Sequence, residues 1–211
     1  MSSTSTWQDG HWTSDGLRLH YRDYPGPKTR PTILCMPGLT RNIRDFEPLI
    51  TLLAGEWRII AVEFRGRGES EYSKAAGSYV PPVYAQDVAL LLDELKLKKI
   101  VTIGTSLGGL VSMLLAAMLP GRIVGAILND IGPVVEQRGL DRIKSYVGKA
   151  QTWPTWVHAA RALAETNADV YPGYDLEDWI AMAKRLNRLT PQGRVVPDYD
   201  PRISEPIRAE E

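Results

Sequence analysis

The stretch KKIVTIGTSLGGLVSMLLAAM, residues 98–118, leaves a folding chain few choices. An apolar, β-rich run meets an apolar, helix-like run across four residues, so a strand must turn into a helix with almost no loop between them. Gly104 and Gly108 lie two residues before and two after Ser106. Absent side chains are a steric requirement there, because strand and helix pass close to each other. The pattern G-x-S-x-G holds its serine in a strained backbone conformation with the hydroxyl exposed at the turn. A structural glycine turn is the plain alternative for the pentapeptide alone, and the flanking strand and helix favour the stronger reading.

The surroundings repeat the same grammar. From residue 7 to 132, the β-rich runs LRLHYRDY, PTILCMPG, WRIIAVEF, KKIVTIG and IVGAILND occur in turn, with helical patterns between the later ones. This alternation predicts an α/β fold with a mostly parallel, helix-covered sheet. In LRLHYRDY, Leu17, Leu19 and Tyr21 alternate with Arg18, His20 and Arg22, which predicts a half-exposed antiparallel hairpin at the sheet edge. The later strands are almost continuously apolar, as central parallel strands covered on both faces should be.

Beyond 132 the strand signal stops. Trp153, Trp156, Val157 and Ala160 recur at helical spacing, and Leu176, Trp179, Ile180, Ala183 and Leu186 form a second stripe. Residues 133–195 therefore read as a helical insertion, or cap, on a core segment 1–132. Residues 196–211, Pro-rich and charged, read as an exposed connector to a further core segment.

A reactive serine at such a turn asks for three kinds of help. Two donors must face the oxyanion of an acyl-transfer intermediate, and the backbone N–H of Leu107, at a helix start, is the first. The loop after an earlier strand, MPGLTRN at 36–42, offers the second, with Gly38 letting the chain turn so that the N–H of Leu39 points to the same place. An ordinary Pro-Gly turn is the alternative there.

PGLTRN, then EFRGRGES at 63–70, then GTSLGG and LNDIGP together resemble the α/β-hydrolase superfamily, in particular its esterase and lactonase-like members with a helical cap. The resemblance covers residues 7 to about 132 well and the cap loosely. In that family the tract is usually D-x-R-G-H-G-x-S and the loop usually begins His-Gly. Here Glu63 stands for the first acid, Arg67 for the histidine, and Pro37 for the other, departures that touch loop shape and leave the backbone donors in place. The resemblance implies hydrolysis of a carboxylic ester or related acyl substrate, with no metal and no organic cofactor.

The third kind of help, a base, is missing from the expected place. The family order is serine, acid, histidine, and its histidine follows the last strand, beyond the cap. Of the three histidines, His11 precedes the sheet and His20 lies on the polar side of its hairpin, so both read as surface residues. His158 follows Ser106, so Ser106, Asp130 and His158 formally satisfy that order, but it falls on a cap helix, where packing or solvation is the common fate. Asp130 ends the strand IVGAILND at the carboxyl edge, where such sheets bind ligands. It serves equally as triad acid or as a cap for the turn that follows.

Without further strands, IVGAILND would be an apolar unpaired edge. The expectation is thus a serine hydrolase whose remaining strands and histidine come from a C-terminal polypeptide. A noncatalytic module that kept the fold and lost its base is the alternative. A dinucleotide-binding domain ranks last, since GTSLGG lacks G-x-G-x-x-G spacing. Trp153, Trp156 and Trp179, with Met182 near the last, could roof an apolar acyl pocket or simply hold the cap together.

Composition narrows the partners. Lys plus Arg and Asp plus Glu each total 25, so no net field draws in nucleic acid or an acidic membrane. Cys35, the single cysteine, sits in an apolar run and packs as a small hydrophobe, and with no leader or span in view the cytoplasm is the expected compartment.

Overall fold

The protein is described by a computed structural model covering residues 6–134, 136–149 and 151–209. The first five residues of the core segment and the last two of the C-terminal stretch lie outside the described residues.

Six strands form one sheet: β1 (Gln8–Ser14), β2 (Leu17–Tyr24), β3 (Thr32–Met36), β4 (Ile59–Val62), β5 (Ile100–Thr105) and β6 (Ile123–Asn129), in the order β1-β2-β4-β3-β5-β6. The first two make the expected antiparallel hairpin. Its two-residue turn puts Asp15 and Gly16 at φ 52° and 74°, the left-handed pair that matches strand twist. β2 runs antiparallel to β4, and the β4, β3, β5 and β6 neighbours are parallel. Both faces of the centre are covered. Leu34, Met36, Ile60 and Val62 look toward α2 (Pro81–Glu94) and α3 (Leu107–Met118), while Ile33, Cys35, Ile59, Ala61 and Ile103 look toward α1 (Glu47–Leu53). Each fully buried aliphatic side chain contributes roughly 1.5–3 kcal/mol, which is why these runs carry no polar alternation. Burial pushes the Cys35 thiol up to about 12, so it packs as a hydrophobe.

β6 breaks this pattern. It lies at the sheet edge, and Val124 and Ile127 on it are 49% and 55% exposed.

The insertion contains α4 (Gln137–Tyr146), α5 (Trp156–Asn167) and α6 (Leu176–Leu186). Asp175 and Asp178 form a reciprocal capping box that starts α6. Ala159, Ala160, Trp179, Met182, Ala183 and Val195 make a separate small core, so the buried stripe of α6 centres on Trp179 and Ala183, while Leu176 is exposed. The helix-only expectation for this region misses a short antiparallel ribbon, β7 (Asn187–Leu189) with β8 (Val195–Pro197).

The stretch after β8 is not an exposed connector. Asp198, Asp200, Ile203 and Ser204 are buried, ahead of a last short helix, α7 (Glu205–Ala209). Its acidic groups are drawn in by partners: Arg44 donates to Asp198 at 2.6 Å, and the Tyr79 hydroxyl donates to Asp200 at 2.7 Å. Burial pushes the Asp198 carboxyl up despite Arg44 beside it. Among the described residues no helix is long and apolar enough to cross a membrane.

Candidate active site

Ser106 sits between β5 and α3 at φ 49°, ψ −110°, a left-handed conformation that costs a side-chain-bearing residue about 1–3 kcal/mol. The surroundings impose it. A Cβ at Gly104 would collide with the Gly108 carbonyl, and one at Gly108 would collide with the carbonyl of Met36 at the end of β3. Strand, helix and neighbouring strand are therefore in backbone contact, and only glycine fits at either position. The Ser106 N–H donates to the Asn129 carbonyl at 2.9 Å, and its own carbonyl accepts from Gly109 at 2.8 Å. The side chain makes no capping bond to the helix it precedes, which leaves the hydroxyl free of the usual cap role.

The loop after β3 comes to the same point. A Cβ on Gly38 would lie 3.9 Å from the Ser106 Cβ and 3.8 Å from the Thr105 carbonyl. The loop is closed by the Arg41 N–H donating to the Gly38 carbonyl at 3.1 Å, and Asn42 then caps the following turn. Leu39 is half-buried and Leu107 buried, and the backbone N–H of each has no partner among the described residues. Two unpaired donors, one on the loop after β3 and one at the start of α3, are an arrangement suited to an anionic oxygen.

Asp130 follows β6 directly, one residue beyond the Thr105–Asn129 pair, and has a left-handed φ of 56°. It is exposed, and its carboxylate bonds to none of the described residues, neither a histidine nor a turn N–H. Trp153 and Trp156 pack against the small core of the cap; the Trp153 backbone pairs with Val195 in both directions.

The histidines are engaged elsewhere. His158 stands in the first turn of α5 with Nδ1 2.8 Å from the Thr155 hydroxyl. His11 Nδ1 accepts from Arg18 at 3.1 Å. His20 corrects the surface expectation, being 3% exposed. It is covered by the EFRGRGES loop: Nδ1 stands 2.9 Å from Glu63 Oε2, Nε2 2.9 Å from Asp9 Oδ1, and Ser70 accepts from the His20 N–H. Gly68 at φ 53° has no room for a Cβ because the Glu63 carboxylate fills that space. Glu63 is thus the hub of a buried scaffold. Period-two alternation could not reveal this, because the cover comes from a loop 43 residues away.

A family model described as the α/β-hydrolase fold matches residues 31–186. An α/β hydrolase from Novosphingobium aromaticivorans, solved by crystallography, superposes with a TM-score of 0.93 at 52% identity, over 98% of this chain and 73% of that one. The 3-hydroxybutyrate-oligomer hydrolase of Cupriavidus necator is 31% identical over 90% of this chain and 66% of its own length. The 2-(acetamidomethylene)succinate hydrolase of Mesorhizobium japonicum is 33% identical over 56% of this chain and 41% of its own. The chain thus spans about two thirds of the first of these curated relatives and less of the second. With the sheet order, the serine turn and these similarities in agreement, the chain belongs to the α/β-hydrolase fold family.

Proposed function

We propose that this chain carries the nucleophile and oxyanion donors of a serine hydrolase acting on carboxylic esters or related acyl compounds such as lactones and thioesters. The observation that carries the reading is the left-handed Ser106 locked between Gly104 and Gly108, with the unpaired N–H groups of Leu39 and Leu107 on either side. Strain held by the surrounding packing at one residue marks a site selected for something other than stability.

In the proposed reaction Ser106 Oγ attacks the acyl carbon while a histidine takes its proton. The oxyanion that forms accepts hydrogen bonds from Leu107 and Leu39, each such donor being worth about 3–4 kcal/mol in the transition state. The imidazolium then protonates the departing alcohol or thiol, leaving an acyl-serine. Water, deprotonated by the same histidine, releases the acid and restores Ser106. No metal or organic cofactor has a step in this sequence.

The histidine is assigned to a C-terminal segment that pairs beside β6, and the acid to Asp130 or to that same segment. Supporting this, β6 carries an apolar edge unpaired among the described residues, and the three histidines of this chain are committed to Arg18, to Glu63 with Asp9, and to Thr155. The named activity of the Cupriavidus relative makes short hydroxyacyl esters the first substrates to try. Trp153 and Trp156 would reach such a substrate only from the cap.

The test is hydrolysis of p-nitrophenyl butyrate and of a 3-hydroxybutyrate dimer by the native protein, with intact mass spectrometry recording every polypeptide in the sample. Loss of turnover in a folded Ser106→Ala variant supports the reading, and undiminished turnover rejects it. A native sample with no turnover and no second polypeptide favours the noncatalytic binding module.

A further inference from the structure

Arg67 is a cation in an unusual place. Its residue is 0% exposed, and among the described residues no carboxylate pairs with it. A buried cation without a counter-ion is costly, and it persists where surrounding dipoles replace water. Here they are carbonyls, a hydroxyl and ring faces. Nη1 donates to the Arg65 carbonyl at 2.7 Å and to the Tyr84 hydroxyl at 2.9 Å, and the guanidinium carbon lies 4.9 Å from the Tyr84 ring centre and 5.7 Å from that of Tyr79. Nη2 is buried with no partner. Nε donates to the carbonyl of Leu39 at 2.9 Å.

The last bond connects Arg67 to the chemistry. Resting on the hydrolase reading above, we infer that Arg67 is a positioning residue for the oxyanion loop: by fixing the Leu39 carbonyl it fixes the orientation of the residue whose N–H faces the developing oxyanion. A loop starting Met-Pro-Gly has a glycine hinge at Gly38 and needs such an anchor, because a donor helps the transition state only if it is already aimed when charge develops. The fork of Arg67 suits this task, since one rigid plane binds the loop through Nε and the 63–71 scaffold through Nη1.

Two variants in the active native protein test this. Arg67→Met keeps the stem and removes every donor, while Arg67→Lys keeps a charge but cannot span both carbonyls. Measured well below the unfolding midpoint, turnover by the Met variant should drop by about 30-fold or more, and by less for Lys, with KM within about twofold of wild type. Amide hydrogen exchange at Arg41, whose N–H closes the loop on Gly38, should rise by about tenfold or more. A folded Met variant with turnover within about threefold of wild type and unchanged exchange overturns the inference, as does a loss confined to KM. If the Met variant does not fold, the Lys variant is read by the same criteria. Activity surviving Ser106→Ala would reject the hydrolase reading on its own, and the exchange measurement alone would then decide whether Arg67 holds the loop.

Discussion

His20 Nδ1 stands 2.9 Å from Glu63 Oε2, and each side chain is only 4% exposed. Asp9 holds the other ring nitrogen, so the edge hairpin is fastened to the loop after β4 through one imidazole.

The fastening is pH-dependent in a definite direction. Burial alone lowers the His20 pKa, but the hydrogen bond and charge of Glu63, aided by Asp9, raise it above 6.5. The folded state therefore binds this proton more tightly, and the stabilisation is complete below about pH 6.5 and fades as pH rises through the raised folded value. The Asp9 carboxyl, shifted below 3.8 by His20 and Arg22 against its own burial, loses its share as pH falls through that lowered value. We expect His20→Gln to cost about 1–3 kcal/mol near pH 5.5, with the gap to wild type narrowing toward pH 8.5. Thermal melts of both proteins across this range check it, and a constant gap would count against a charged His20.

Ser106→Gly should abolish acyl transfer and at the same time stabilise the protein. Removing the side chain relieves about 1–3 kcal/mol of left-handed strain, and the added freedom of the unfolded chain takes back less than about 1 kcal/mol. A rise in melting temperature of about 2–4 °C is expected for a chain of this size. Calorimetry decides, and a lower midpoint would mean that the elbow is not strained.

Arg65 and Asp87 form a two-pronged ion pair with 1% exposure on each side, at 2.7 and 2.8 Å, and Asp87 also accepts from Ser14. Arg65→Met should cost about 3–5 kcal/mol by stranding a buried carboxylate. Asp87→Leu in the same protein should recover most of that loss, because the stranded charge is then gone. Denaturant titration of the two singles and the double measures the coupling, and additive losses would contradict it.

Ile127→Lys addresses the β6 edge. In the chain studied alone a lysine there should reduce self-association by discouraging edge pairing. If a further strand covers β6 in the native protein, as proposed above, the same change should cost several-fold in activity or assembly. Sedimentation of the isolated chain and turnover of the native protein are the measurements. No change in either would leave β6 without a partner strand.

The sequence declared what local chemistry alone controls. The apolar runs PTILCMPG, WRIIAVEF and KKIVTIG read as interior parallel strands, and Gly104, Ser106 and Gly108 as a tight strand-to-helix turn, and the structure holds both. His20, Asp198 and Asp200 were misjudged for one shared reason. Each is a polar residue buried by a partner far away in the chain, Glu63, Arg44 and Tyr79 respectively, and periodicity carries no information about such partners. The ribbon of β7 and β8 is three residues on each side, too short for alternation to register. Arg67 differs again: as a sequence position it marks a departure from a family tract, and its bond to Leu39 becomes visible only in three dimensions.

The route by which the chain leaves the cap has a mechanical consequence. The Asp198 carbonyl accepts from Gly68, the Asp200 N–H donates to Gly66, and both carboxylates are bolted to core side chains. The cap's exit is therefore riveted to the sheet side of the molecule, and it cannot come away at that end without breaking backbone and ionic ties together.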